Sequence, residues 1–334
     1  MKLLISGRNG SKNDSILHAT LSGNGKLISS FYSHGVENPN FMCMSRNGRC
    51  LYTVIQENAM MGIASFVIDG GNLIPTGEVR FPGSSLCHLS LNEKENLIAA
   101  SCYGSGDVYF YALDGKDNAA CTKAAHFHYG DESCQSHPHC IIPSKNERFM
   151  YLADLGLDRV VAYSTESGRI HEQSVLNLKK DDGPRHLLNH PTLDIMYLIT
   201  EYSNVMYVFS SDEETGTLCV LQRLSTLKEY EDVSYAASLT LSTKRGLLYG
   251  SNRGADNIVV FSVSDSDGSI EYLTEVPCGG VWPRHIDLSK DNRYLFVANE
   301  RSDKLSVLPL DDKGIPTVSV TDIPIKKASF MLEL

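Results

Sequence analysis

One pattern of apolar and polar positions recurs along the chain. An apolar pair lies within a short run of small or β-prone residues, a polar turn and an alternating apolar strand follow, and Asp or Gly closes the unit. The segments 47–54, 145–152, 244–251 and 290–297 carry it most plainly. The second member of each apolar pair serves as a marker: Leu4, Tyr52, Ile98, Tyr151, Tyr197, Tyr249 and Phe296, spaced by 48, 46, 53, 46, 52 and 47 residues. Behind each marker come a polar hairpin turn and a further strand, as in 252–257 followed by Ile258-Val259-Val260-Phe261-Ser262-Val263. Each period therefore holds about four short strands, the content of one propeller blade. Seven markers predict an all-β chain, a seven-bladed β-propeller with four-stranded antiparallel blades, closed as one domain over residues 1–334. Two stacked sandwiches would need no repeat this regular. The first marker leaves no room for an opening strand, and 328–334 reads as a strand without a blade. The two ends are expected to pair in one blade, which removes two exposed sheet edges.

If the markers are equivalent, equal offsets are equivalent places, and polar outliers at one offset are candidate site residues. Four residues after the marker stand Arg8, Gln56, Cys102, Leu155, Glu201, Arg253 and Glu300; twelve before it, Asn40, Leu86, His139, Arg185, Ala237 and Arg284; and one later, Phe41, Cys87, Cys140, His186, Ser238 and His285. The later series falls past the end of the marker strand and the earlier two at the start of the strand before it. All are expected to rim one mouth of the central channel. His139, Arg185, His186, Glu201, Arg253, Arg284, His285, Arg8 and Glu300 then form a local concentration of cations around carboxylate and imidazole groups. Guanidinium recognises phosphate or carboxylate through paired hydrogen bonds, which points to a small anionic substrate. A Glu among arginines stays ionised and can accept a proton, and the set suits attack of water on a strained ester. Structural readings stand beside this one. Strand-end Arg and Glu make cross-blade ion pairs, and His186 and His285 can simply donate to backbone carbonyls.

Composition narrows the partners. The chain has 334 residues, 30 Lys and Arg against 40 Asp and Glu, a formal charge of −10, and no long basic run. Binding to nucleic acid by phosphate neutralisation is not expected. No apolar run reaches the ~18 residues of a spanning helix, so no membrane partner and a cytoplasmic location are expected. The nine cysteines are odd in number and never spaced C-x-x-C, which fits reduced thiols. Cys134, His137, His139 and Cys140 lack structural-zinc spacing, and no metal or other cofactor is expected. Asp154-Leu155-Gly156 and Asp256-Asn257 read as turns. His126 and His128 read as part of a polar loop beside Asp131 and Glu132.

Taken in order, Ser136-His137-Pro138-His139, Ala153-Asp154-Leu155-Gly156, Gly183-Pro184-Arg185-His186, Glu201, Ser251-Asn252-Arg253-Gly254-Ala255-Asp256 and Pro283-Arg284-His285 resemble the lactonase family of seven-bladed propellers. That family includes the propeller type of 6-phosphogluconolactonase and the fungal 3-carboxy-cis,cis-muconate lactonising enzyme. The resemblance covers residues 1–334 and implies lactone chemistry at the channel mouth without a required cofactor. Of the muconate enzyme's His, two Arg and Glu, the matching positions are His139, Arg185, Arg253 and Glu201. Arg185 and Arg253 would hold phosphate or the developing oxyanion, Glu201 would activate water, and His139 would carry the proton. Arg284, His285, His186 and Arg8 would bind substrate. Ser238 stands where family members commonly carry a second carboxylate. Hydrolysis of 6-phosphoglucono-δ-lactone leads, with lactonisation of a muconate-like diacid and non-catalytic binding of a small anion or protein as alternatives. Oligomeric state stays open.

Overall fold

Alternating apolar residues form β-strands here because the side-chain period of two puts one face of each strand against a neighbouring sheet. The computed structural model describes residues 1–334 except 9, 11, 12, 14, 58, 59, 95, 115–118, 132–134 and 231. Its strands build seven four-stranded antiparallel sheets, and the chain is a seven-bladed β-propeller. Every marker lies on the second strand of its sheet. Tyr52 is in Cys50–Glu57, Tyr151 in Phe149–Asp154, Tyr249 in Leu247–Arg253 and Phe296 in Tyr294–Asn299. The ends pair as the sequence predicts: Ala328–Glu333 lies antiparallel to Lys2–Gly7, with Leu4 opposite Leu332 and Ile5 opposite Met331. Helix is confined to two short 3₁₀ turns among the described residues, Glu166–Gly168 and Glu300–Ser302.

The chain divides into two compact units. One comprises residues 1–35, 188–210 and 220–334, the other 36–187 and 211–219. Each holds three complete sheets, and the sheet Pro184–Asn189, Ile195–Thr200, Val205–Ser211, Leu218–Ser225 passes from one to the other. In the first unit Leu3, Ile5, Phe296, Val307 and Met331 share a core, so the terminal strand is packed as well as hydrogen-bonded. In the second, Ile98, Tyr109, Val54 and Phe81 form one cluster and Phe110, Leu152 and Tyr163 another.

A recurring irregularity shapes the strand starts. Pro138 pairs with Asp154 and Cys140 with Ala153, leaving His139 as an extra residue. Pro283 pairs with Asn299 and His285 with Ala298, leaving Arg284 extra. The same shift falls at Cys87 and between Ala236 and Leu239. A bulge of this kind bends the strand and re-aims one side chain. It falls on the candidate positions themselves.

Candidate functional site

In the first unit, the strand Leu247–Arg253 ends opposite the start of Tyr235–Ser242, with Arg253 paired to Tyr235. The Arg253 guanidinium is buried and donates from Nε to the Tyr235 carbonyl at 3.1 Å and from Nη2 to the Ala236 carbonyl at 3.3 Å. Its Nη2 also meets Glu201 Oε2 at 2.7 Å. Burial lowers Arg253 from the usual guanidinium range, the Glu201 carboxylate opposes that shift, and Arg284 adds to it. Glu201 follows the strand Ile195–Thr200, in a turn that Thr200 pins by accepting the Val205 N–H at 3.0 Å. A second carboxylate stands close by in charge if not in sequence. Glu300 lies 3.6 Å from Arg284 and 3.8 Å from Arg8. Three guanidiniums against two carboxylates leave one net positive charge, on side chains that are mostly shielded from water. Such a group attracts a small anion more strongly than the same charges would in bulk solvent.

Two aromatic rings flank Arg253. The Arg253 guanidinium carbon lies 6.0 Å from the Tyr235 ring centre and 5.4 Å from that of Trp282, and Arg301 sits 3.3 Å over the Trp282 ring. The two rings meet at 58° with centres 6.0 Å apart. His285, one residue past Arg284, packs on Phe330 at 4.3 Å, and its Nδ1 lies 3.3 Å from the hydroxyl of Ser238. Ser238 is therefore a hydrogen-bonding neighbour of a candidate residue rather than an empty position.

The second unit brings together a different set. His139 and His186 meet edge-on with ring centres 5.3 Å apart, and His88 lies 5.8 Å from His186. Arg185 is among the largest fully buried side chains. Burial, reinforced by the Arg185 charge, pushes His88 down to about 3. His88 is thus neutral, accepting the Ile141 N–H at Nδ1 over 3.4 Å and facing the Cys140 thiol through Nε2 at 3.4 Å. Tyr103 stacks on His137 at 4.3 Å and touches His139 edge-on at 5.8 Å.

Of the residues the sequence singled out, Glu201, Arg253, Arg284 and Arg8 fall in one cluster with Glu300, and His139, Arg185 and His186 in another. Offset reasoning missed His88, Tyr235 and Trp282. His88 lies two residues beyond its blade's earlier offset, and Trp282 was marked only by being the single tryptophan. One expectation is corrected. His126 and His128 lie on the strand Ala120–His128, not in a loop, and both ring nitrogens reach Asp107 Oδ1, at 2.8 and 3.0 Å. Asp107 sits on the adjacent strand directly opposite His128, which explains the pairing. Asp154 does organise a turn, accepting from Ser136 Oγ and the His137 N–H at 2.9 Å each. Cys134 lies outside the described residues, so the Cys-x-x-His-x-His-Cys run is only partly placed. Its described part diverges, because His137 Nδ1 meets the Tyr103 carbonyl at 2.8 Å whereas Cys140 faces His88. Among the described residues no group of three or more His, Cys, Asp or Glu is arranged to hold a metal ion. Cys43, Cys50, Cys87, Cys102, Cys140, Cys219 and Cys278 are free thiols.

A β-propeller with arginine–carboxylate pairs at its strand ends, one of them built on the buried Arg253, is the class that these features define. Within that class, the family described as "Lactonase, 7-bladed beta-propeller" matches residues 2–332, and the chain belongs to it. A protein of Lactococcus lactis subsp. cremoris is 30% identical over 291 residues, covering 85% of this chain and 84% of that one. The 6-phosphogluconolactonase of Bacillus subtilis is 26% identical over 283 residues, covering 82% and 80%. Among solved structures, the periplasmic gluconolactonase PpgL of Pseudomonas aeruginosa superposes with a TM-score of 0.91 at 21% identity, over 99% of this chain and 98% of that one. At that identity the likeness speaks for the fold.

Proposed function

We propose that the chain hydrolyses a small anionic sugar lactone, 6-phosphoglucono-δ-lactone, to 6-phosphogluconate. The observation that carries this reading is the pair of half-buried Glu201 with buried Arg253, with Arg284, Glu300 and Arg8 beside it. Water attacks the lactone carbonyl carbon, Glu201 takes its proton, and the carbonyl oxygen gains the negative charge that Arg253 is placed to receive. Collapse of the tetrahedral intermediate breaks the ring C–O bond, and the departing alkoxide takes up a proton to become the hydroxyl of the open acid. Arg284 and Arg8 offer donors for the phosphate. The name of the B. subtilis relative supports the choice of substrate. For His139 and Arg185, which belong to the cluster of the second unit, the family resemblance alone implies proton-carrying and anion-holding roles.

The test generates the lactone in situ with glucose-6-phosphate dehydrogenase and follows 6-phosphogluconate dehydrogenase for acceleration over spontaneous ring opening. Acceleration is expected, and Glu201→Gln should lower kcat by roughly 10²–10⁴. Unchanged turnover in that variant removes Glu201 from the role of base. An absence of acceleration by the wild-type protein at high concentration overturns the substrate. His139→Asn and Arg185→Lys, assayed alongside, read the two remaining roles separately.

A further inference from the structure

Trp282 holds a backbone conformation that its sequence opposes. Its φ is +66°, in the left-handed region, although it is bulky and is followed by Pro283, which normally drives the preceding residue to extended geometry. Such a conformation persists only where the surroundings over-determine it. Three bonds do so. The Trp282 N–H donates to Asp256 Oδ1 at 2.8 Å, its carbonyl accepts the Glu300 N–H at 3.0 Å, and the preceding Val281 N–H donates to Ser302 Oγ at 2.7 Å. Asp256 is itself left-handed, at φ +53°, and its Oδ1 also accepts the Gly254 N–H at 3.2 Å, while its carbonyl accepts the Cys278 N–H at 3.0 Å. One carboxylate oxygen therefore joins the turn that follows Arg253 to the loop that precedes Arg284, and Trp282 joins that loop to the turn carrying Glu300. Nothing can be added at Gly280 without movement, since a Cβ there would lie 2.5 Å from Asn299 Cγ.

We propose that Asp256, acting through the backbone of Trp282, is a positioning residue that fixes Arg253, Arg284 and Glu300 as one set for the charged group of an anionic substrate. The proposal rests on the lactonase reading above and extends it to residues that make no contact with the reacting atoms. Asp256 is then more than a turn former. A turn at φ +53° needs only Gly or Asn, whereas the clasp needs a side-chain oxygen as well.

The two demands separate by substitution. Asp256→Gly keeps the left-handed turn and removes the acceptor, whereas Asp256→Asn keeps both. Binding of 6-phosphogluconate, followed by calorimetry and by the emission of the single tryptophan, should weaken about tenfold or more in Asp256→Gly. It should stay within about threefold in Asp256→Asn, as expected when the acceptor is preserved. Trp282→Gly gives the second arm. It relieves the backbone strain and keeps the N–H and carbonyl that make the clasp, so the melting temperature should hold or rise and binding should stay within about threefold of wild type. Equal binding in Asp256→Gly and wild type overturns the proposal, as does equal weakening in Asp256→Gly and Asp256→Asn. Weakening in Asp256→Gly that merely tracks a fall in melting temperature overturns it too, as does equal weakening in Asp256→Gly and Trp282→Gly. Wild-type protein that binds 6-phosphogluconate without hydrolysing the lactone sinks the lactonase reading and leaves the clasp standing. Wild-type protein that binds neither 6-phosphogluconate nor inorganic phosphate sinks the clasp, whatever the hydrolysis assay reads.

Discussion

His88 shows what one buried imidazole contributes at the residue scale. In the folded chain it resists protonation down to about 3, against 6.5 for an unhindered imidazole, because burial and then Arg185 disfavour the cation. The unfolded chain therefore binds this proton first as pH falls. The contribution of His88 is complete above about pH 6.5 and is lost progressively below it. At pH 5 the loss amounts to about 2 kcal/mol, from about 1.5 pH units at about 1.4 kcal/mol each. Denaturant unfolding at pH 7 and pH 5 should show that extra loss in wild type and not in His88→Gln; equal losses in the two would remove His88 as the cause. The sequence did not single out this histidine, since its perturbation comes from burial in the folded chain and then from Arg185, 97 positions further on. Glu201 and Arg253 were legible as candidates, because the repeat placed both at the same offset, whereas their pairing at 2.7 Å was not. The conformation of Trp282 was not, because Pro283 alone argues against it.

At the scale of elements, equivalent positions of the repeat solve the same problem differently. Tyr197 Oη donates to the Gly268 carbonyl at 2.9 Å and Tyr249 Oη to the Gly314 carbonyl at 2.8 Å, each reaching a glycine in a hairpin turn. Tyr151 is the same marker one blade earlier. There Ser174 Oγ takes the Gly216 carbonyl at 2.8 Å, and the buried Tyr151 hydroxyl has no partner among the described residues. Tyr197→Phe and Tyr249→Phe should each cost about 1 kcal/mol, and Tyr151→Phe should be neutral or stabilising. Unfolding of the three variants side by side checks this, and a comparable cost at Tyr151 would mean that its hydroxyl is satisfied. The terminal strand makes a sharper case. Removing 328–334 strips the partner from Lys2–Gly7 and takes Ala328 and Met331 out of the core. The truncated chain should lose its cooperative melt or aggregate through the bare edge. A sharp transition at the wild-type temperature would show that the strand is dispensable.

Charge acts at the scale of the whole molecule. The chain carries −10 overall, which repels a sugar phosphate at long range, whereas Arg8, Arg253 and Arg284 outnumber Glu201 and Glu300 locally. Salt screens charges more than about 10 Å apart at 0.1 M and spares buried neighbours. If the local cluster governs binding, the affinity for 6-phosphogluconate should fall by only a few-fold between low and high salt, because the contacts are short and shielded. An affinity that rises with salt would show net repulsion in control. The sequence by itself determined the seven blades, their four-stranded content, the shared terminal blade and the offsets at which Arg and Glu collect, because each follows from a period that local side-chain pattern imposes. Only the tertiary structure decided the rest: the bulges at His139 and Arg284, the depression of His88 by burial and then by Arg185, and the bonds that hold Trp282 to Asp256 and Glu300. Those depend on groups far apart in the chain meeting in one register, and no local pattern encodes which hydrogen bond wins there.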